Sequence, residues 1–369
     1  MNQAINSGTI FRMTKLSRRD VLKLGGLALG SLAFAPHASA PGNFDDSTLL
    51  RVATDSIAVY REPSDKSPIT GSWFRDELVH VYGEVKGVDG EPKYNPVWYR
   101  VWGGYVHRGR VQLVKFLRNK PLDSIPEGTY QVMEVTVPMT NPWRNSRAYG
   151  WQKMNPPMYY GSVHWAVGLE TGPDGGVWYK IYDELDSNVP YYVPAQHMRP
   201  IRAEDLSPLS PDVPKDQKRI EVNLTMQTLI AYEYDKPVFQ TKISSGIPAK
   251  DFNSPVGEFY IQEKVPAKHM GYSYFGLGEK GNVNLFADAD NYVLPGVPWT
   301  CFFTPAGHAF HGTYWHENFG APMSHGCINM RTPEAKWLFR WARPAHTVEG
   351  ISQKVYFGGE QGTKVSIHF

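Results

Sequence analysis

Residues 307–331 read GHAFHGTYWHENFGAPMSHGCINMR. Four histidines (His308, His311, His316 and His325) share this short stretch with one cysteine, Cys327. Gly326 precedes the cysteine, and a residue without a Cβ permits a tight turn and a close approach of backbone to a ligand. If the chain there is extended, His325 and Cys327 at i and i+2 share a face. Imidazoles beside a thiol favour the thiolate, so a pKa below the free value of about 8.5 is expected. Backbone amides around Cys327 would stabilise an oxyanion, an effect worth on the order of 10²–10³ in rate. The stretch therefore reads as a cysteine nucleophile with a histidine base.

Histidine and thiolate are good zinc ligands. However, His308 and His311 would point to opposite faces of a strand, and the Cys-x-x-Cys and His-Glu-x-x-His patterns are absent from the sequence. No metal is expected. The other cysteine, Cys301, lies in Trp299-Thr300-Cys301-Phe302-Phe303, an apolar run that reads as inert core. A single disulfide between Cys301 and Cys327 is the alternative to a buried Cys301 and a working Cys327.

Downstream, Thr332 is positioned to cap a helix, Pro333 suits its first turn, and Pro344 would end it. Trp337, Leu338 and Trp341 then form one apolar face toward a sheet. Upstream, Arg219–Leu224 and Thr228–Tyr234 read as two strands around a polar turn, followed by a third at Val238–Ser244. A segment with Pro208, Pro211 and Pro214 reads as a linker over 205–216.

Before the linker the chain alternates short strands and turns. Trp98-Tyr99-Arg100-Val101 recurs 80 residues later as Trp178-Tyr179-Lys180-Ile181, and Tyr105-Val106 is echoed by Tyr192-Val193. This repeat suggests two small β-barrels, at 45–118 and 119–204. The first resembles a bacterial SH3-like domain, and both are expected to present aromatics such as Trp73, Trp102 and Trp143. Their position suggests that they hold the chain on a polymeric surface and take no part in bond chemistry.

The first 40 residues read as an export segment. Ser17-Arg18-Arg19-Asp20-Val21-Leu22-Lys23 resembles the twin-arginine motif, and a mildly apolar run follows from Leu24 to Ala35. That run is too short for the ~20 residues of a membrane-spanning helix and fits a signal core. No transmembrane span beyond it is expected. Composition agrees with a β-rich globular chain: 11 Trp, 21 Tyr, 34 Gly and 29 Pro in 369 residues. A net charge of only +2 gives no reason to expect a nucleic-acid partner.

The stretches His311-Gly312-Thr313 and Ser324-His325-Gly326-Cys327-Ile328-Asn329 resemble the signature of L,D-transpeptidases with a YkuD-like catalytic domain. Ser244-Ser245-Gly246 and Ser254-Pro255-Val256-Gly257-Glu258-Phe259 resemble further stretches of that family, and the resemblance covers 217–369. It implies a mainly β chain, with two SH3-like barrels followed by a β-sandwich catalytic domain with one late helix. It implies Cys327 as nucleophile and His311 as base, oriented through the carbonyl of Gly312. Ser324, His325 and Gly326 would shape the pocket and oxyanion hole, and Asn329 fills the family's asparagine position. Arg331, just past the motif, would pair with a substrate carboxylate. Some family members have a longer spacing that His308 would fit better, but the His-Gly-Thr context favours His311.

The activity implied is cross-linking of peptidoglycan stem peptides, as donor and acceptor, through a cysteine thioester, without a cofactor and outside the cytoplasm in the periplasm or cell wall. An L,D-carboxypeptidase of the same fold, and a wall-binding protein without catalysis, are the alternatives.

Overall fold

The computed structural model describes residues 48–185, 189–272, 292–345, 355–356 and 362–369. The export segment read from the sequence lies outside these residues. The chain is mainly β, and among the described residues it has one α-helix, Thr332–Trp341. None of the described helices is long and apolar enough to cross a membrane.

The N-terminal β module has a three-stranded and a five-stranded sheet. The first joins Leu49–Val52 to Leu78–His80 and Val111–Val114. The second includes Val97–Val101 and Gly104–His107. Strand alternation sends Val52, Val59, Tyr99, Val101 and Val106 into one core. A seven-stranded antiparallel sheet follows, built mainly around Val163–Thr171 and Val177–Tyr182. The repeated pairs occupy matching places, since Tyr99 faces Val106 across one ladder and Tyr179 faces Val193 across the other. Of the aromatics expected on the surface, only Trp102 is exposed. Trp73 packs against its module's core, and Trp143 meets Trp178 edge-on at 6.0 Å. Indole rings carry too much apolar area to be left in water when a core lies within reach.

The C-terminal part is a sandwich of two five-stranded sheets. One contains the hairpin Lys218–Asn223 and Thr228–Glu233, with Lys364–His368 added in parallel. The other runs from Ile328–Arg331 through Ala309–Thr313 and Val293–Phe302 to Glu263–Gly271. Their shared core includes Ile220, Leu229, Phe310, Ile328 and Leu338. It also takes in Val132, Val163 and Trp165 from the preceding sheet, and Ile201 and Leu206 from the segment that follows it, so that sheet and the sandwich bury apolar surface together.

The segment expected to be a linker is docked. Leu206 is buried, Leu209 N–H donates to Arg340 O at 3.1 Å, and buried Lys218 donates to Leu209 O at 2.9 Å. Its prolines limit conformational freedom, but these contacts bind it to the end of the helix. The helix starts where expected, with Pro333 in its first turn. The N-cap is Arg331, without a side-chain bond, because the Thr332 hydroxyl donates instead to Thr313 O at 3.1 Å. Leu338 and Trp341 are buried, while Trp337 stacks on Phe239 at 4.3 Å.

Candidate active site

Two adjacent parallel strands of the sandwich carry the motif. Ala309–Thr313 pairs with Ile328–Arg331 so that Phe310 faces Ile328 and His311 faces Asn329. Continuing that register one residue back brings Cys327 level with Ala309. A tight turn delivers the cysteine to this position. Gly326 has φ of +123°, a conformation L side chains rarely adopt. A Cβ there would also lie 2.9 Å from His308 Cδ2, so any side chain would press on that ring. His325 and Cys327 are therefore joined by a left-handed bend and not by extended chain.

Hydroxyls and backbone fasten the turn. Ser324 Oγ donates to Cys327 O at 2.5 Å and accepts from Gly326 N–H at 3.1 Å. Ser254 Oγ donates to Gly326 O at 2.8 Å and accepts from Gly246 N–H at 2.9 Å. Ser324 N–H in turn donates to Ser245 O at 3.0 Å. The Ser244-Ser245-Gly246 stretch and Ser254 thus converge on the turn. A Cβ on Gly246 would come within 2.0 Å of Phe252 O. Since Gly326 N–H is bound to Ser324, it is not an idle donor awaiting an oxyanion.

His311 is buried on its strand. Its Nδ1–H donates to Gly312 O at 3.0 Å, which leaves the lone pair on Nε2, the tautomer a base needs. Burial lowers its pKa to about 4, against the opposing pull of the Gly312 carbonyl. His308 is half-buried, its Nδ1 paired with Thr304 Oγ at 2.9 Å, and burial lowers its pKa as well.

Cys327 is partly accessible and carries a free thiol, as does buried Cys301. Its Sγ lies 3.8 Å from Gly307 O, which the thiol can donate to. Desolvation pushes its pKa up to about 11, with the Ala309 N–H pulling the other way. This differs from the lowered value expected from the sequence. Removing water from around the sulfur penalises the thiolate, which is the charged form. Cys301 is pushed up to about 12 by complete burial.

The remaining motif residues are distributed around this pair. His325 lies between Phe252 and Tyr292, with ring centroids at 4.0 and 5.2 Å. Asn329 is buried, its side-chain amide 2.9 Å from His316 Nε2. Arg331 is already engaged by carboxylates, at 3.2 Å from Glu334 and 3.6 Å from Glu317, and lies over the Phe319 ring. Three participants carried no assigned role in the sequence reading: His316, Tyr292 and Ser254. Ser254 and His316 stand within or beside recognisable motifs. Tyr292 had no local signal at all, and its proximity to Cys327 is what raises its pKa after burial.

Residues 217–367 match the YkuD family, described as an L,D-transpeptidase catalytic domain. The Bacillus subtilis protein YciB, provisionally named as an L,D-transpeptidase, is 28% identical over 150 residues, covering 38% of this chain and 69% of its own length. An Enterococcus faecium L,D-transpeptidase crystal structure shares 22% identity over 42% of this chain, with a TM-score of 0.30. The match spans 50% of that chain's length. L,D-transpeptidase 3 from Mycobacterium tuberculosis shares 16% identity over 51% of this chain and 77% of its own, also with a TM-score of 0.30.

Proposed function

Residues 217–367 form an L,D-transpeptidase catalytic domain, and on that premise we propose that this chain cross-links peptidoglycan stem peptides outside the cytoplasm. The observation that carries the reading is that adjacent parallel strands bring the Cys327 turn and His311 to one edge of the sandwich, with Cys327 following Gly326 at positive φ and His311 held in the Nε2-basic tautomer by Gly312 O.

With a raised thiol pKa and a lowered imidazole pKa, both groups rest neutral at pH 7. The proton therefore leaves sulfur as the bond to carbon forms, and His311 accepts it in general-base fashion. Sγ attacks the carbonyl joining the L-centre of a diamino acid to a terminal D-alanine. The carbon–nitrogen bond breaks, His311 returns the proton to the departing amine, and a thioester remains on Cys327. The amine of a second stem then attacks the thioester. His311 takes its proton and restores the thiol as the new amide is released. With water as acceptor the same steps give an L,D-carboxypeptidase. Arg331 would need to give up its bonds to Glu334 and Glu317 before binding a substrate carboxylate, so we assign it to holding this corner of the fold.

The test is incubation of the full chain with a disaccharide-tetrapeptide and mass spectrometry of the products. A cross-linked dimer with loss of D-alanine is expected from the parent and from Cys301→Ala, and none from Cys327→Ala. Dimer formed by Cys327→Ala would end the reading.

A further inference from the structure

The segment that connects His311 to the cysteine turn is gripped by a different part of the chain. Residues 314–320 follow the His311 strand, and the N-terminal β module of residues 49–114 reaches them at several points. Arg51, fully buried, donates through Nη2 to Tyr314 O at 2.7 Å. The same guanidinium is held by Asp76 at 2.9 Å and Gln112 at 3.0 Å, and lies 3.9 Å over the Tyr159 ring. Asn95 Nδ2 donates to Glu317 O at 2.9 Å, and His107 Nε2–H fixes Asn95 through its carbonyl at 2.8 Å. Glu317 N–H donates to Gly109 O at 3.3 Å, and the Glu317 carboxylate meets Arg108 at 3.1 Å. Gly320 fits against the same module, because a Cβ there would lie 2.6 Å from Tyr94 O.

On its inner side the segment carries His316. Its Nδ1 accepts from Asn318 N–H at 3.2 Å, and its Nε2 meets the Asn329 amide at 2.9 Å. Asn329 in turn faces His311 across the parallel ladder and exchanges backbone bonds with Ser244. Connecting segments are usually the mobile parts of a fold. Here buried, charge-assisted bonds from outside the catalytic sandwich remove that freedom.

We propose that the N-terminal β module is a positioning element of the catalytic centre: Arg51, Asn95 and Arg108 fix the Tyr314–Gly320 segment, which through His316 and Asn329 fixes the imidazole of His311. This rests on His311 and Cys327 being the reacting pair. None of the three module residues touches either of them, so they are positioning residues. Small displacements of a base can cost up to about a hundredfold in rate without altering affinity.

The experiment compares the full chain with an Asn95→Ala/Arg108→Gln double variant, with Arg100→Ala on the same module as control. The double variant is expected to lose at least about tenfold in kcat on the tetrapeptide with KM within about threefold. Arg108→Lys, which keeps the charge, should recover part of that loss. Ring ¹⁵N spectra give a reading independent of turnover. In the parent, His316 stays neutral down to pH 5; in the double variant it titrates closer to its ordinary value of about 6.5 as water enters. A folded double variant with parent kcat and parent ring spectra would overturn the proposal. If the double variant does not fold, Asn95→Ala alone takes its place. If the parent shows no turnover, the transpeptidase reading fails and the ring spectra alone decide the role of the module.

Discussion

The protonation state of Cys327 admits a direct test through alkylation by iodoacetamide. A thiol at about 11 is roughly 0.1% thiolate at pH 8, against roughly a quarter for a free cysteine near 8.5. Population alone makes Cys327 about 200-fold slower. A more basic thiolate is intrinsically more nucleophilic, with a Brønsted slope of about 0.4–0.5, which returns about tenfold to eighteenfold. The population effect wins, and Cys327 should react roughly 20-fold more slowly than a free cysteine at pH 8. Its rate should also climb close to tenfold per pH unit from 6 to 10. Cys301, fully buried and higher still, should stay unlabelled in the native protein and so serve as an internal blank. The assay is intact-protein mass spectrometry of single adducts against time, repeated across pH. A rate that is already flat between pH 6 and 9 would mean a preformed thiolate–imidazolium pair, and the concerted proton transfer argued above would be wrong.

Two further outcomes follow from the same geometry. His311→Ala should lose on the order of 10²–10⁴ in kcat/KM, whereas His308→Ala, whose ring packs over Gly326 but is bound to Thr304, should lose much less; the reverse order would transfer the base role to His308. Stability should fall on acidification. His164, His311 and His316 are each lowered by burial, to about 3, 4 and 3, so the unfolded chain takes up protons first. Their stabilisation is complete above about 6.5 and is lost as pH falls toward about 4 for His311 and about 3 for His164 and His316, at up to about 1.4 kcal/mol per pH unit for each. Thermal unfolding from pH 7.5 to 5 checks this, and a midpoint that holds or rises on acidification would contradict it.

Much of the architecture was legible because it is encoded over short distances. Strand alternation from Arg219 to Ser244, Pro333 at the helix start and the Gly326-Cys327 turn each depend on a few neighbouring residues, and local sterics set them. The Trp-Tyr repeat marked two strands that each lie in an antiparallel ladder, but not the seven-stranded sheet that holds the second of them. Which aromatics reach the solvent was not legible, since Trp73 and Trp143 find their partners only when the sheets close. The charge states of the site escaped for the same reason. A run of histidines around a cysteine suggests a lowered thiol pKa, but folding desolvates both partners and reverses the direction. The sequence alone marked the candidate pair and its turn, through covalent spacing and a glycine at positive φ that no other residue can replace without strain. The tertiary structure alone decided what surrounds that pair. Arg51 and Tyr314 stand 263 positions apart, and no local pattern links them. Their contact arises only when packing excludes water from both, which is also what makes a buried guanidinium bond to a carbonyl strong enough to matter.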